Sequence, residues 1–459
     1  MKSVSDHHMD FTRGKILSPL MRFAMPILLA LFLQAMYGAV DLLIVGQFAE
    51  TADVSAVSTG SMIMQTITGV LVGLSTGITI LLGQKIGEGK PRLAGQLVGS
   101  GIALFAGIAL AATALCVGLA VPISTILQAP AEAFDQTVSY VRICCGGTVF
   151  IIAYNVLGSV FRAIGDSRMP LITVGIACVV NIFGDLFLVK GLGMGAAGAA
   201  LATVFAQAVS VVLSLVIIRR RKLPFQMEKQ DIRFNGSLNS QILRVGTPIA
   251  LQDLLVSISF LVILAIVNSL GVIKSAGVGV AEKLCAFVML IPSAYSQAMS
   301  AFVAQNIGAG KPERANRALW YGIGTSLLAG LAVGYLSFFH GDLLSSIFAK
   351  DTAVIAASAS YLRAYAIDCL LTSFLFCLIG YFSGRGDTLF VMIQGIIGAF
   401  CVRIPVSFLM SRIPDVELFY IALATPCSTL VQIALCLFRY RIQCKRDRNN
   451  RTEIDFKGE

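Results

Sequence analysis

The sequence predicts an all-α polytopic membrane protein of about 12 transmembrane helices, arranged as two six-helix lobes related by internal duplication. Three observations carry this expectation. The 459 residues are 56% apolar and only 13% charged, with a mean hydropathy of +0.82, outside the range of water-soluble domains. Apolar stretches of about 20 residues or more recur from end to end, each long enough at ~1.5 Å per residue to cross a hydrocarbon core of ~30 Å. One half of the chain also repeats in the other.

The stretches must be helices, because lipid offers the backbone no partner and the ~10-residue alternating segments of a barrel are absent. The expected spans are residues 17–46, 54–83, 95–126, 135–162, 169–190, 195–218, 241–270, 275–305, 315–340, 354–383, 388–411 and 416–440. Met1 to Lys15 is polar, holds His7, His8 and Asp10, and has no small-residue cleavage site, so the first span is expected to act as its own targeting signal.

Positive charge sets the expected orientation, since Lys and Arg in short loops stay on the cytoplasmic side. Lys85, Lys90 and Arg92, then Arg162 and Arg168, Arg219 to Lys222, Lys311, Arg314 and Arg317, Arg385, and the tail after Arg439 fall on one side of the alternating spans. The opposite loops hold Glu50, Asp53, Glu132, Asp135, Asp342 and Asp351, with Lys190, Lys274, Lys350 and Arg412 as the exceptions. Both termini are therefore expected in the cytoplasm of a multi-pass cell-membrane protein. The formal net charge of +10 is a topology signal of this kind, and no nucleic-acid partner is expected. The 11 cysteines form no CxxC and all but Cys444 fall in expected spans, so they read as small packing residues.

Gly83 to Arg92 recurs as Ala304 to Glu313, with Pro91 and Pro312 offset by 312 − 91 = 221. The same offset relates Tyr140 and Arg142 to Tyr361 and Arg363, and Gly165-Asp166 to Gly386-Asp387. An offset of 222 relates Pro26 to Pro248 and Ala202-Thr203 to Ala424-Thr425. The expected organisation is an N-terminal lobe over 1–218, a basic linker over 219–239, a C-terminal lobe over 240–440 and a polar tail over 441–459. An even number of crossings per half gives both halves one orientation, with a substrate route between them. Pro26 is a candidate hinge, because proline removes an intrahelical bond; a tolerated membrane proline is the alternative.

Charge inside the membrane costs about 2.5–3.5 kcal/mol per side chain on insertion scales, so each instance needs a reason. Asp41 in the first span, Asn181 and Asp185 one turn apart in the fifth, and Thr203 in the sixth fall at one depth. Such a set suits a proton or a cation, with Na⁺ as the candidate metal; a structural hydrogen-bonded pair is the alternative. The second-half counterpart of Asp41 is Ile263 or neighbouring Val262, and at the 221 offset those of Asn181 and Asp185 are Val402 and Val406. The second half has its own set: Asp253 and Asp368 near mid-membrane, and Glu282 beside Lys283, a possible second polar site or a structural group. Arg142 and Arg363, at equivalent positions, suggest a shared structural task such as tethering a helix to neighbouring carbonyls.

Several motifs do not hold. Gly193 to Gly198 satisfies GxGxxG without a βαβ unit, and reads as close helix packing. The two Gly-Lys-Pro loops lack the first glycine of a P-loop and the Ser or Thr after Lys. His7, His8 and His340 are too scattered for a metal site, and neither HExxH nor GxSxG occurs, so no enzyme and no cofactor are expected.

The doubled six-helix pattern, the paired Gly-Lys-Pro loops, the two Gly-Asp turns, and the first-span Asp with the Asn-x-x-x-Asp of the fifth together resemble the MATE (multidrug and toxic compound extrusion) transporters of the MOP flippase superfamily over essentially the whole chain. That resemblance implies a V-shaped pair of lobes around a central cavity. It also implies antiport of amphipathic, often cationic, small molecules against H⁺ or Na⁺ by alternating access, with Asp41, Asn181, Asp185 and Thr203 as the first-lobe ion site. Sodium-coupled relatives carry a glutamate in the seventh helix, whereas the acid here is Asp253, nearer that helix's start. The expected partners are small amphipathic or cationic substrates and membrane lipid, with the monomer as the working unit. A lipid-linked glycan flippase, which would need more basic residues to hold a pyrophosphate than Arg142, Arg363 and Arg403 supply, or a channel, are the alternatives.

Overall fold

The computed structural model describes residues 9–221 and 223–457, with side chains as far as Asn449. His7, His8 and Lys222 lie outside the described residues. Among those described there is no strand. Eleven helices are long and apolar enough to cross a membrane, and a bent pair makes twelve. In chain order they are α1 (Leu17–Phe48), α2 (Thr51–Gly87), α3 (Pro91–Gly118), the bent α4 (Ala131–Gly146 with Thr148–Ala163), α5 (Arg168–Gly191), α6 (Gly195–Arg220), α7 (Gly236–Asn268), α8 (Val272–Gly308), α9 (Pro312–Phe339), α10 (Thr352–Gly384), α11 (Thr388–Ser411) and α12 (Leu418–Asn449). Their order and number are those the hydropathy predicts. The last helix continues past residue 440, so the described part of the polar tail extends it as far as Lys457.

The repeated loop motifs set the turns between helices. Gly89 and Gly310 both sit at φ +68, and Gly165 and Gly386 at φ +80 and +83, left-handed conformations that glycine adopts without penalty. After Gly89 and Gly310, Lys90 and Lys311 occupy the N-cap and Pro91 and Pro312 the first turn of the next helix. Proline is suited to that place, where its missing N–H has no intrahelical partner to lose. Gly-Lys-Pro is thus a helix-to-helix connector.

Two compact units divide the chain. The first is built from Met21–Ala250 with the segment ending at Arg13, the second from Leu251 onward with Gly14–Leu20. The division falls inside α7 just beyond Pro248, and both Pro248 and Pro26 lie within continuous helices. In the first unit α2 is a largely enclosed span, its Leu71, Ile78 and Leu82 packing with Val141 of α4 and other core residues. The stretch joining the halves packs on α3: a Cβ at Gly95 would strike the Gln226 carbonyl, Arg92 pairs with Asp231 at 2.8 Å, and Ser100 donates to Asn239 Oδ1 at 2.6 Å.

In the second unit the enclosed span is α10, whose Tyr361, Tyr365 and Cys369 pack with Ile263 and Val267 of α7. Its first-half counterpart α4 bends by 49° at Gly147. The 221 offset places Asp368 opposite Gly147, and there α10 runs on unbroken. Glycine ends a helix where an ordinary residue continues it. All 11 cysteines are free, six of them buried, in agreement with a packing role. Arg142 and Arg363 correct an expectation: both are exposed, and neither makes a hydrogen bond or ion pair among the described residues, so neither tethers a helix.

Candidate functional site

Close packing of α5 on α6 brings the first-unit polar groups together. A Cβ built on Gly184 would lie 3.0 Å from the Cβ of Ala202, so a hydrogen at position 184 lets the two helices approach to near contact. Asn181 and Asp185 flank that glycine on α5, and Thr203 follows Ala202 on α6. The turn before α6 is fixed by Asp53, whose carboxylate accepts from the Ala196 N–H at 2.8 Å at the positive end of the helix. The GxGxxG run therefore serves helix packing and capping.

The four groups the sequence singled out converge. Thr203 Oγ1 donates to Asp41 Oδ2 at 3.3 Å, and Asn181 Nδ2 donates to Thr203 Oγ1 at 3.5 Å. The Asp41 carboxyl lies close to both Asp185 and Asn181. Asp41 is 5% exposed, and Asn181 and Asp185 are fully buried. Four acceptor oxygens here receive no hydrogen bond from the protein: Asp41 Oδ1, Asn181 Oδ1, and both carboxylate oxygens of Asp185. Buried acceptors are nearly always satisfied, so a cluster of four can take a water, a proton or a cation. Asp185 is also the last residue before a π-helical turn, Leu186–Gly191, a distortion common beside functional groups.

A cavity of about 20 Å³ opens beside the cluster, lined by Asn181 and Thr203 and by Gln34, Tyr37, Tyr154 and Gln207. That is room for about one water molecule or one small ion. Sequence reasoning missed the last four residues, although the signal was there. Gln34, Tyr37 and Asp41 stand at i, i+3 and i+7 on α1, and Gln207 stands one turn beyond Thr203 on α6, each a polar stripe on an apolar helix.

The second-unit groups assemble differently. Asp368 is 1% exposed and lies within electrostatic reach of Arg403, itself 6% exposed, with Thr429 beside it. Arg403 donates to Ser259 Oγ at 3.1 Å and its guanidinium lies 4.4 Å from the Phe260 ring centroid. Glu282 is half-buried and within electrostatic reach of Tyr361, as are Asp368 and Arg403. Asp253 and Lys283 have exposed side chains, and among the described residues no contact joins Asp253 to Asp368. The expected quartet of Asp253, Glu282, Lys283 and Asp368 is therefore not one cluster. Arg403 takes the central place instead.

Arg403 also corrects the counterparts assigned by counting. A π-helical turn over Ile397–Arg403 accommodates one extra residue in α11. Buried positions then fall at Arg403 and Ser407, one turn apart, as Asn181 and Asp185 do on α5, while Val402 and Val406 are only part-buried. The residues matching Asn181 and Asp185 in place are thus Arg403 and Ser407.

A duplicated bundle of membrane helices that buries an acidic cluster beside a small cavity is the build of a multi-pass membrane transporter. The MatE family profile matches residues 26–187 and again residues 248–409, so the chain belongs to the MatE family, whose members are transporters and not enzymes. The two matches begin at Pro26 and Pro248 and are offset by 222 residues at both ends (248 − 26 and 409 − 187), the duplication read from the loops. The chain is 26% identical over 403 residues to the probable multidrug resistance protein YpnP of Bacillus subtilis, covering 88% of this chain and 90% of that one. It is 23% identical over 415 residues to the multidrug export protein MepA of Staphylococcus aureus, covering 88% and 89%. A multidrug resistance MATE family transporter of the MOP superfamily, solved in an outward-facing conformation, superposes with a TM-score of 0.90 at 18% identity over 97% of this chain and 99% of that one.

Proposed function

We propose that this chain is a secondary active multidrug efflux transporter that exchanges amphipathic, often cationic, small molecules for H⁺ or Na⁺ by alternating access. The observation that carries this reading is the set of four unsatisfied acceptor oxygens around Asp41, Asn181 and Asp185, next to a cavity of about 20 Å³. Two facing carboxyls in a low-dielectric site repel each other when both are ionised, and a proton or a monovalent cation between them relieves that repulsion. With the site empty, the pair carries charge that the membrane interior penalises, and this favours ion entry from the side of higher electrochemical potential. Loading neutralises Asp41 on α1. That change is proposed to bias α1 about Pro26, where the missing N–H weakens the helix, and so to shift the carrier between its two openings.

The names of YpnP and MepA support the multidrug part of the reading. The alternating loop charges support a cell-membrane location with both termini in the cytoplasm, and the monomer is proposed as the working unit. The test is export of a fluorescent cationic dye from cells producing the wild type or Asp41→Asn, with expression and membrane insertion checked by blot. The reading predicts that the substituted protein is inserted but no longer lowers intracellular dye. Undiminished export by Asp41→Asn would overturn it.

A further inference from the structure

The basic linker over 219–239 is fastened along one side to α3, within the first unit. The Gln226 N–H donates to the Pro91 carbonyl at 3.1 Å, Arg92 pairs with Asp231 at 2.8 Å and with Glu228 at 3.3 Å, and Ser100 donates to Asn239 Oδ1 at 2.6 Å. Gly95 and Gly99 let the linker backbone lie flat on the helix, since a Cβ at either would strike the carbonyl oxygen of Gln226 or of Asp231. The linker thus runs beside residues 91–100 of α3, a rise of ~14 Å. The 28 residues of α3 carry one charge, Arg92, at this end. They make ~42 Å of helix against a hydrocarbon core of ~30 Å, so the charged first turns, and the linker beside them, fall in the headgroup layer.

What the linker leaves exposed is basic and apolar together. Its two carboxylates, Glu228 and Asp231, are both taken by Arg92, and Arg221 is taken by Asp166 at 2.7 Å. Arg219, Arg220, Lys229 and Arg233 are exposed and make no ion pair among the described residues. Among them stand apolar side chains that the protein does not cover: Ile232 is 46% exposed and Phe234 71%. Apolar side chains interleaved with basic ones at headgroup depth are the composition of segments that lie in a membrane interface, where lipid covers the first and anionic headgroups meet the second. The first turn of α3 adds Leu93, 42% exposed, at the same level.

We propose that the linker between the two halves is an interfacial anchor: Phe234 and Ile232 enter the leaflet at which α6 ends, and Arg219, Arg220, Lys229 and Arg233 hold the phosphates of anionic phospholipids there. The bonds to α3 order the linker in advance, so little conformational entropy is lost when lipid is engaged. The surface uses no residue of the acidic cluster, and its test reads depth and lipid preference without efflux.

Trp320 is the single tryptophan of the chain, so full-length protein carrying Trp320→Phe and Phe234→Trp reports from the linker alone. In nanodiscs its emission is followed against acrylamide in the water and against phosphatidylglycerol or phosphatidylcholine brominated along the acyl chain. Brominated lipid should quench strongly and acrylamide weakly, and in mixed nanodiscs brominated phosphatidylglycerol should quench at a lower mole fraction than brominated phosphatidylcholine. Adding Arg219→Gln, Arg220→Gln and Arg233→Gln together should lower that preference by about fivefold or more. Strong quenching by acrylamide with none by brominated lipid would overturn the proposal and leave the face to a soluble partner. Equal quenching by the two brominated lipids, or a preference unchanged in the triple arginine variant shown folded by its circular dichroism melt, would overturn it as well.

Discussion

The fifth helix of the first unit and its partner α11 in the second started from one sequence, and they now carry opposite charge at one place. On α5, Asn181 and Asp185 face Asp41 with four acceptor oxygens unfilled. On α11 the same buried positions hold Arg403 and Ser407, and the guanidinium lies within reach of Asp368. One unit buries two carboxyl groups together, whereas the other sets an arginine beside its carboxyl. The scaffold is shared while its polarity differs between the units, and the ion site proposed above belongs to the first.

The largest expected effect breaks the first-unit side of this contrast. Asp185→Asn removes half of the carboxyl pair, and the advantage of an imposed ion gradient on dye efflux should fall by about 5–150-fold, the span of ordinary coupling free energies. Asn181→Ala removes one acceptor and no charge, so its loss should be smaller in the same vesicle assay.

On the second-unit side, Arg403→Met leaves Asp368 buried without a nearby cation. The variant should lose about 1–3 kcal/mol of stability in detergent, with part recovered by adding Asp368→Asn. Thermal melts of the two single variants and the double variant measure this. Strict additivity would show that Arg403 and Asp368 do not interact. Gly184→Val tests the approach of α5 to α6 that builds the first site. It should cost about 1–2 kcal/mol and slow coupled efflux, although all four polar groups remain.

The smallest effect lies at the loop between α2 and α3. Slight burial raises the Glu88 carboxyl, but the hydrogen bonds and charges of Lys85 and Lys90 outweigh it and hold it below the usual carboxylate range. A depressed carboxyl contributes stability above its unfolded value near ~4.3, and that contribution disappears as pH falls through the folded value. Glu88→Gln should therefore lower stability by a few tenths of a kcal/mol at neutral pH and by nothing near pH 3, as melts at the two pH values would show.

Much of this contrast was legible in the sequence, and the reasons can be named. Helix length and number follow from apolar runs that only a helix can carry through lipid, and the Gly-Lys-Pro turns follow from a left-handed glycine beside a first-turn proline. Asp41, Asn181, Asp185 and Thr203 stood out because charged and polar groups are costly against an apolar background. Gln34, Tyr37 and Gln207 were passed over because each is individually tolerable in a membrane helix, and only their spacing marks the lining of a cavity. The second unit was misread for a geometric reason. A π turn adds one residue without changing composition, and counting along the chain then exchanged Arg403 for Val402 and hid the reversal of charge.

The most direct test of the central claim is the ion flux that accompanies dye export in proteoliposomes, measured with a pH-sensitive dye and with tracer Na⁺, for the wild type and for Asp41→Asn with Asp185→Asn. The account predicts that export of dye by the wild type draws in H⁺ or Na⁺ and that the doubly substituted protein, still inserted and still binding dye, moves neither ion. Coupled ion entry of wild-type size through the double variant would contradict it.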